Sequence, residues 1–126
     1  MFINKNLNPK GHNTSDCTVR ALAAAAGITW DKAFIEIANE AFKMKVGPSD
    51  IKVFENLILR YGFKAVSCKA EKGKPRPKVK DIASLYRGYI AVARVAHHVV
   101  TCADGNYIDT WDCGEAAVYK VWIKEK

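Results

Sequence analysis

His98-Val99-Val100-Thr101-Cys102-Ala103-Asp104-Gly105-Asn106-Tyr107-Ile108-Asp109-Thr110-Trp111 reads as two β-strands folded about a tight turn. β-Branched and aromatic residues fill both arms, and Asp-Gly suits the positive-φ positions of a two-residue hairpin turn. With Asp104-Gly105 as that turn, Ala103 pairs with Asn106, Val100 with Asp109 and His98 with Trp111. Side chains alternate along a strand, and directly opposed residues share a face. His98, Val100 and Cys102 therefore fall on one face with Tyr107, Asp109 and Trp111, and His98 and Asp109 become diagonal neighbours. A three-residue turn would reverse the parity and bring His97 to Asp109 instead. The Asp-Gly pair favours the two-residue form, and hence His98.

Outward from the hairpin, Tyr89–Val95 and Ala117–Ile123 have the same strand composition, and Val79–Tyr86 reads as a short helix closed by Gly88. Phe63–Cys68 is a further short strand. The first half is helical. Thr14-Ser15-Asp16 offers helix-capping side chains ahead of Cys17–Ala26, whose alanines favour a narrow helix that other elements approach closely, and Gly27 ends it. A second helix runs from Thr29 to about Lys43, with Trp30, Ala33, Phe34, Ile37, Ala38 and Ala41 at helical spacing. Gly47-Pro48-Ser49 breaks it. Ser49 then caps a third helix with Ile51, Phe54, Leu57, Ile58 and Tyr61 as its apolar stripe and Gly62 at its end. Residues 1–13 are polar with turn chemistry in Asn8-Pro9-Lys10-Gly11. Helices followed by an antiparallel meander define an α+β fold, and 126 residues at 49% hydrophobic content suit one domain over 1–126.

The net charge of +7 favours anionic partners without bearing on fold. Much of it lies in Lys69-Ala70-Glu71-Lys72-Gly73-Lys74-Pro75-Arg76-Pro77-Lys78-Val79-Lys80, whose prolines and lack of apolar periodicity read as a solvated connector. A nucleic-acid surface is the other reading of Lys69–Lys80, disfavoured because base-stacking aromatics are missing from it. The four cysteines, Cys17, Cys68, Cys102 and Cys113, are widely spaced and form no Cys-x-x-Cys pair, which points to free thiols with no metal and no cofactor. No apolar run approaches the roughly 20 residues that span a bilayer. The first residues lack the apolar stretch of a secretory signal. A cytoplasmic protein without membrane contact is the expectation.

Of the four thiols, Cys17 alone stands at a helix start, where unpaired N–H groups and the macrodipole stabilise a thiolate. Joined to a His98–Asp109 pair, it completes the logic of a Cys–His–acid triad. The acid sets the imidazole tautomer, and the imidazole takes the thiol proton.

These residues resemble the papain-like cysteine peptidase superfamily. His98-Val99-Val100 is similar to its His-Ala/Val-Val strand, and Asp109-Thr110-Trp111 to its Asn-Ser-Trp segment with Asp in place of Asn. A nearer resemblance is to small proteins of bacteriophages and their bacterial hosts. It rests on Asp16-Cys17-Thr18-Val19-Arg20-Ala21 and on His98-Val99…Asp104-Gly105…Tyr107-Ile108-Asp109-Thr110-Trp111-Asp112. Size and element order are distantly similar to the peptidases that cut double-glycine leaders from bacteriocin precursors. The resemblance implies a papain-like core, with the Cys17 helix central and packed on the C-terminal antiparallel sheet. It also implies a peptide or protein substrate, a bacterial or phage-infected cytoplasm, and Trp111 shielding the His98–Asp109 bond. Cys17 becomes nucleophile, His98 general base and acid, and Asp109 orienter. The family's oxyanion-holding Gln, about six residues before the nucleophile, is replaced here by Gly11. Asn13 stands as the substitute amide, or Asn8 if the loop folds back; Asn13 as a plain turn residue is the other reading. The expected function is amide hydrolysis through a Cys17 thioester. The alternative is a papain-like binding protein of phage origin, weakly active or inactive, that engages a host component.

Overall fold

The computed structural model describes residues 1–68 and 72–126. The elements are β1 (Phe2–Asn4), α1 (Cys17–Ala26), α2 (Trp30–Met44), α3 (Ile51–Arg60), β2 (Lys64–Val66), α4 (Val79–Leu85), β3 (Tyr89–Val95), β4 (His98–Ala103), β5 (Asn106–Asp109) and β6 (Lys120–Glu125). The strands form one mixed sheet in the order β1-β5-β4-β3-β6-β2. The fold is α+β, as expected, with a core on each face of the sheet. On one face α1, α2 and α3 bury Leu22, Ala33, Val53 and Ile58 against Val92, Val99 and Trp122. On the other, α4 packs Val79, Ile82 and Ala83 against Ala91, Ala93, Val100 and Cys102.

The hairpin register holds as the turn chemistry dictates. Ala103 pairs with Asn106, Cys102 with Tyr107 and Thr101 with Ile108. Asp104 and Gly105 both take positive φ, 55° and 80°. The alanines of α1 let it lie close over the sheet, with Ala21, Ala23 and Ala25 buried. The Thr101 hydroxyl, buried on β4, donates to the Ala21 carbonyl at 2.9 Å and sets the position of α1 against that strand. Gly27 ends α1 in the left-handed conformation.

Several boundaries differ from expectation for identifiable reasons. Thr29 caps α2, but α3 is capped by Asp50 rather than Ser49; the Asp50 carboxylate accepts from the Lys52 N–H at 2.9 Å. The last strand begins at Lys120 instead of Ala117. Residues 116–118 hydrogen-bond with Pro77 and Val79, which keeps that stretch off the sheet. The polar N-terminus supplies an unexpected edge strand, β1, parallel to β5 with Asn4 beside Asp109. Within the basic segment, Lys69, Ala70 and Glu71 lie outside the described residues. Its far end is no solvated connector: Val79 is fully buried in α4, and Glu115 takes Lys78 and Lys80 at 2.6 and 2.5 Å. Among the described residues, no helix is long and apolar enough to cross a membrane.

Candidate active site

The site forms where β4 begins and β5 ends. His98 Nε2 meets Asp109 Oδ2 at 2.5 Å, as strand parity requires. His97 instead occupies the β3–β4 turn at φ 55° and is exposed. β5 stops at Asp109 because the Thr110 N–H turns back onto the Asp109 carboxylate at 2.7 Å. Asp109 is 1% exposed. Besides His98 and Thr110, its oxygens accept from the Arg20 guanidinium at 2.9 Å and the Cys113 thiol at 3.4 Å. Burial alone would raise the Asp109 pKa. The bonds from His98, the Thr110 amide and Arg20 outweigh it and hold the carboxyl below its ordinary range.

Cys17 is the first residue of α1, half-buried, and shares a cleft of about 600 Å³ with His98, Asn13 and Trp111. Asp16 precedes it but makes no side-chain cap, and among the described residues no side chain hydrogen-bonds the first-turn amides. The Asp16 carboxylate is engaged elsewhere, by Arg20 Nε at 2.8 Å and by Trp30 Nε1 at 2.9 Å. Arg20 thus clamps two buried carboxylates, one from the residue before the thiol and one from the residue behind the imidazole.

The four thiols respond differently to this environment. Burial pushes Cys68 and Cys113 up, and Cys102 up to about 12. Burial also acts on Cys17, but the His98 side chain, the Val99 backbone N–H and the Arg20 charge overcome it and bring its pKa down. The imidazole moves the opposite way. Burial disfavours its charge, yet bonds to Asp109, Cys113 and Cys17 raise it from 6.5 to about 11. Both shifts act in the same sense, favouring a thiolate beside an imidazolium over the neutral pair. Since Nε2 faces Asp109, Nδ1 is the nitrogen left for Cys17.

Cys17, His98, Asp109 and Asn13 are thus brought to one region, although Asn13 is exposed and has no fixed partner among the described contacts. Trp111 lies against the imidazole with ring centroids 5.2 Å apart and stays half exposed. Sequence reasoning gave Arg20 no role in the site, Asp16 only that of a helix cap and Trp30 only a place in an apolar stripe. The i, i+4 spacing of Asp16 and Arg20 was a usable signal for one ion pair. Nothing local marked Cys113, which reaches Asp109 through the Asp112–Gly114 turn: Asp112 accepts from the Tyr107 hydroxyl at 2.7 Å and the Gly114 N–H at 3.0 Å. His98, Asp109 and Cys113 also form a compact set of metal-ligand types. Their donor atoms already bond one another, so the set is accounted for by hydrogen bonding. Comparison with protein-family models, curated proteins and solved structures finds no match.

Proposed function

We propose that the chain is a papain-like cysteine hydrolase that cleaves an amide bond through a thioester on Cys17. The observation that carries this reading is the geometry: Cys17 opens α1 and shares its cleft with the His98 imidazole, whose Nε2 is bound to Asp109 at 2.5 Å. Of the four thiols, Cys17 is the one whose pKa is lowered. The Cys17 thiolate attacks the amide carbonyl. The His98 imidazolium then gives its proton to the departing amine, leaving the thioester. A water deprotonated by His98 releases the acid and restores the thiolate. Asp109 keeps the ring oriented and stabilises its charged form. The Cys17 backbone N–H and the Asn13 amide are the donors offered to the oxyanion, a role worth roughly 3–4 kcal/mol in a hydrolase.

Iodoacetamide at neutral pH should alkylate Cys17 well before Cys68, Cys102 or Cys113, with mass mapping to locate the label. His98→Gln should remove that advantage. Equal labelling of the four thiols, or protection of Cys17 in the native chain, would overturn the proposal.

A binding role without turnover is the second reading, favoured by Gly11 at the place where the resemblance puts the oxyanion amide; Gly11 is exposed. It requires that Cys17→Ala act as well as the wild type in a bacterial host assay.

A further inference from the structure

The cleft in front of Cys17 has a one-sided charge. Arg20, Arg94, His97 and His98 line it, and among the described residues no Asp or Glu does. Two of these are occupied: Arg20 by Asp16 and Asp109, and His98 by Asp109. Arg94 and His97 are different. Both are exposed, and among the described residues neither side chain is in a hydrogen bond or an ion pair. Glu55 feels the Arg94 charge, but its carboxylate is already held by Lys120 and by Trp122 Nε1 at 2.9 Å.

The register puts Arg94 beside the strand segment that borders the reacting sulfur. Arg94 on β3 is the direct partner of Val99 on β4. The Val99 backbone N–H is one of the groups acting on the Cys17 thiol. Opposed Cα atoms in an antiparallel pair are about 4.5–5.5 Å apart and their side chains share a face. Val99 packs on the α1 side of the sheet, so the Arg94 stem leaves the sheet on that side too. Arg94 lines the same cleft as Cys17. His97, in the turn that joins the two strands, adds a donor on the same wall.

We propose that Arg94, assisted by His97, makes this cleft a receptor for a carboxylate, so that the substrate attacked by Cys17 carries an acidic group beside the scissile bond. The inference rests on the hydrolase reading. A planar guanidinium that is still unpaired matches a carboxylate with two parallel hydrogen bonds, and selects against a basic residue at that position.

The test compares two alkylating reagents of nearly equal size. In each, the Cys17 thiolate forms a C–S bond to the methylene carbon as iodide leaves; iodoacetate carries a carboxylate there and iodoacetamide does not. The quantity read is the iodoacetate-to-iodoacetamide rate ratio at Cys17, relative to the same ratio for glutathione. A cationic wall is expected to raise it roughly tenfold at low salt, because such clefts concentrate counter-ions. Arg94→Gln should lower the ratio severalfold, and Arg94→Glu should bring it to or below the glutathione value. A wild-type ratio equal to that of glutathione, or one indifferent to Arg94→Glu, overturns the carboxylate receptor while leaving the reactive thiol intact. A Cys17 slow towards both reagents overturns the hydrolase reading and the receptor with it.

Protection of Cys17 from iodoacetamide then identifies the source of the carboxylate. Amidated hexapeptide pools with a fixed Glu are compared with free-acid pools with a fixed Gln, and amidated Gln pools serve as reference. Protection by the first assigns a side-chain carboxylate, and by the second a chain terminus. Failure of both to exceed the reference overturns the proposal.

Discussion

At the scale of single residues, Asp109 is the group on which most of the site depends. It is buried, and a carboxylate in that position is tolerable only because charged and neutral donors surround it. Asp109→Asn keeps the shape and removes the charge. Turnover by the proposed mechanism should fall by about 10²–10⁴-fold, and the pH midpoint for Cys17 alkylation should move up. The same substitution should change the pH dependence of stability. Asp109 has a folded pKa below its unfolded value, so its contribution is complete above the ordinary carboxylate range near 3.8 and is lost as pH falls. His98 has a raised folded pKa, so its contribution is complete below 6.5 and is lost as pH climbs towards about 11. Urea midpoints measured across pH should therefore decline on both sides for the wild type and flatten on both sides for Asp109→Asn. Arg20→Ala is the harsher change, since it strips a partner from two buried carboxylates at once. It is expected to cost on the order of 3–5 kcal/mol, seen as a lower Tm, while Arg20→Lys recovers part of that loss.

Between elements, the loop after β5 does more than return the chain to β6. Asp112 holds the Tyr107 hydroxyl and the Gly114 amide, and Gly114 in turn accepts from the Lys80 N–H of α4 at 3.1 Å. A Cβ on Gly114 would stand 2.2 Å from the Tyr107 oxygen. Gly114→Ala is thus expected to destabilise by about 1–3 kcal/mol and to disturb the Cys113 thiol beside Asp109. Gly47→Ala, with no atom near its added methyl group, is the matched control and should be neutral in the same thermal melts. This loop also marks the limit of what sequence alone could reveal. The hairpin was legible because Asp104-Gly105 sets register locally, and register carries His98 and Asp109 to one another. Contacts between distant segments left no such trace. Arg20 and Asp109 stand 89 positions apart. β1 is three residues long and exists through its pairing with β5. The start of β6 depends on what Pro77 and Val79 do to residues 116–118. Each of these is decided by a partner far along the chain, and local propensity is silent about it.

Across the whole molecule, a single sheet separates two cores, and the site sits at the strand ends where β4 begins and β5 stops. α1 brings Cys17 from one face, while Cys113 and Cys102 belong to the core on the other. If the two faces were independent, loosening one would leave the thiols of the other protected. The strands forbid that, because β3 and β6 carry alternate residues to both cores: Val92 and Trp122 to one side, Ala93 and Val121 to the other. Trp122 is fully buried, and its ring meets Phe54 edge-on at 5.6 Å. Trp122→Ala should cost about 3–5 kcal/mol through lost burial and the cavity left behind. In the native wild type, Cys17 should react quickly and Cys102 only through global unfolding. In Trp122→Ala, Cys102 labelling should accelerate by the factor that the measured loss of stability dictates, although the substitution lies across the sheet. Labelling of Cys102 that stays at the wild-type rate while Tm falls would mean that the faces open separately. Equal acceleration of Cys102 and Cys113, tracking the urea midpoint, is the outcome expected of one cooperative unit.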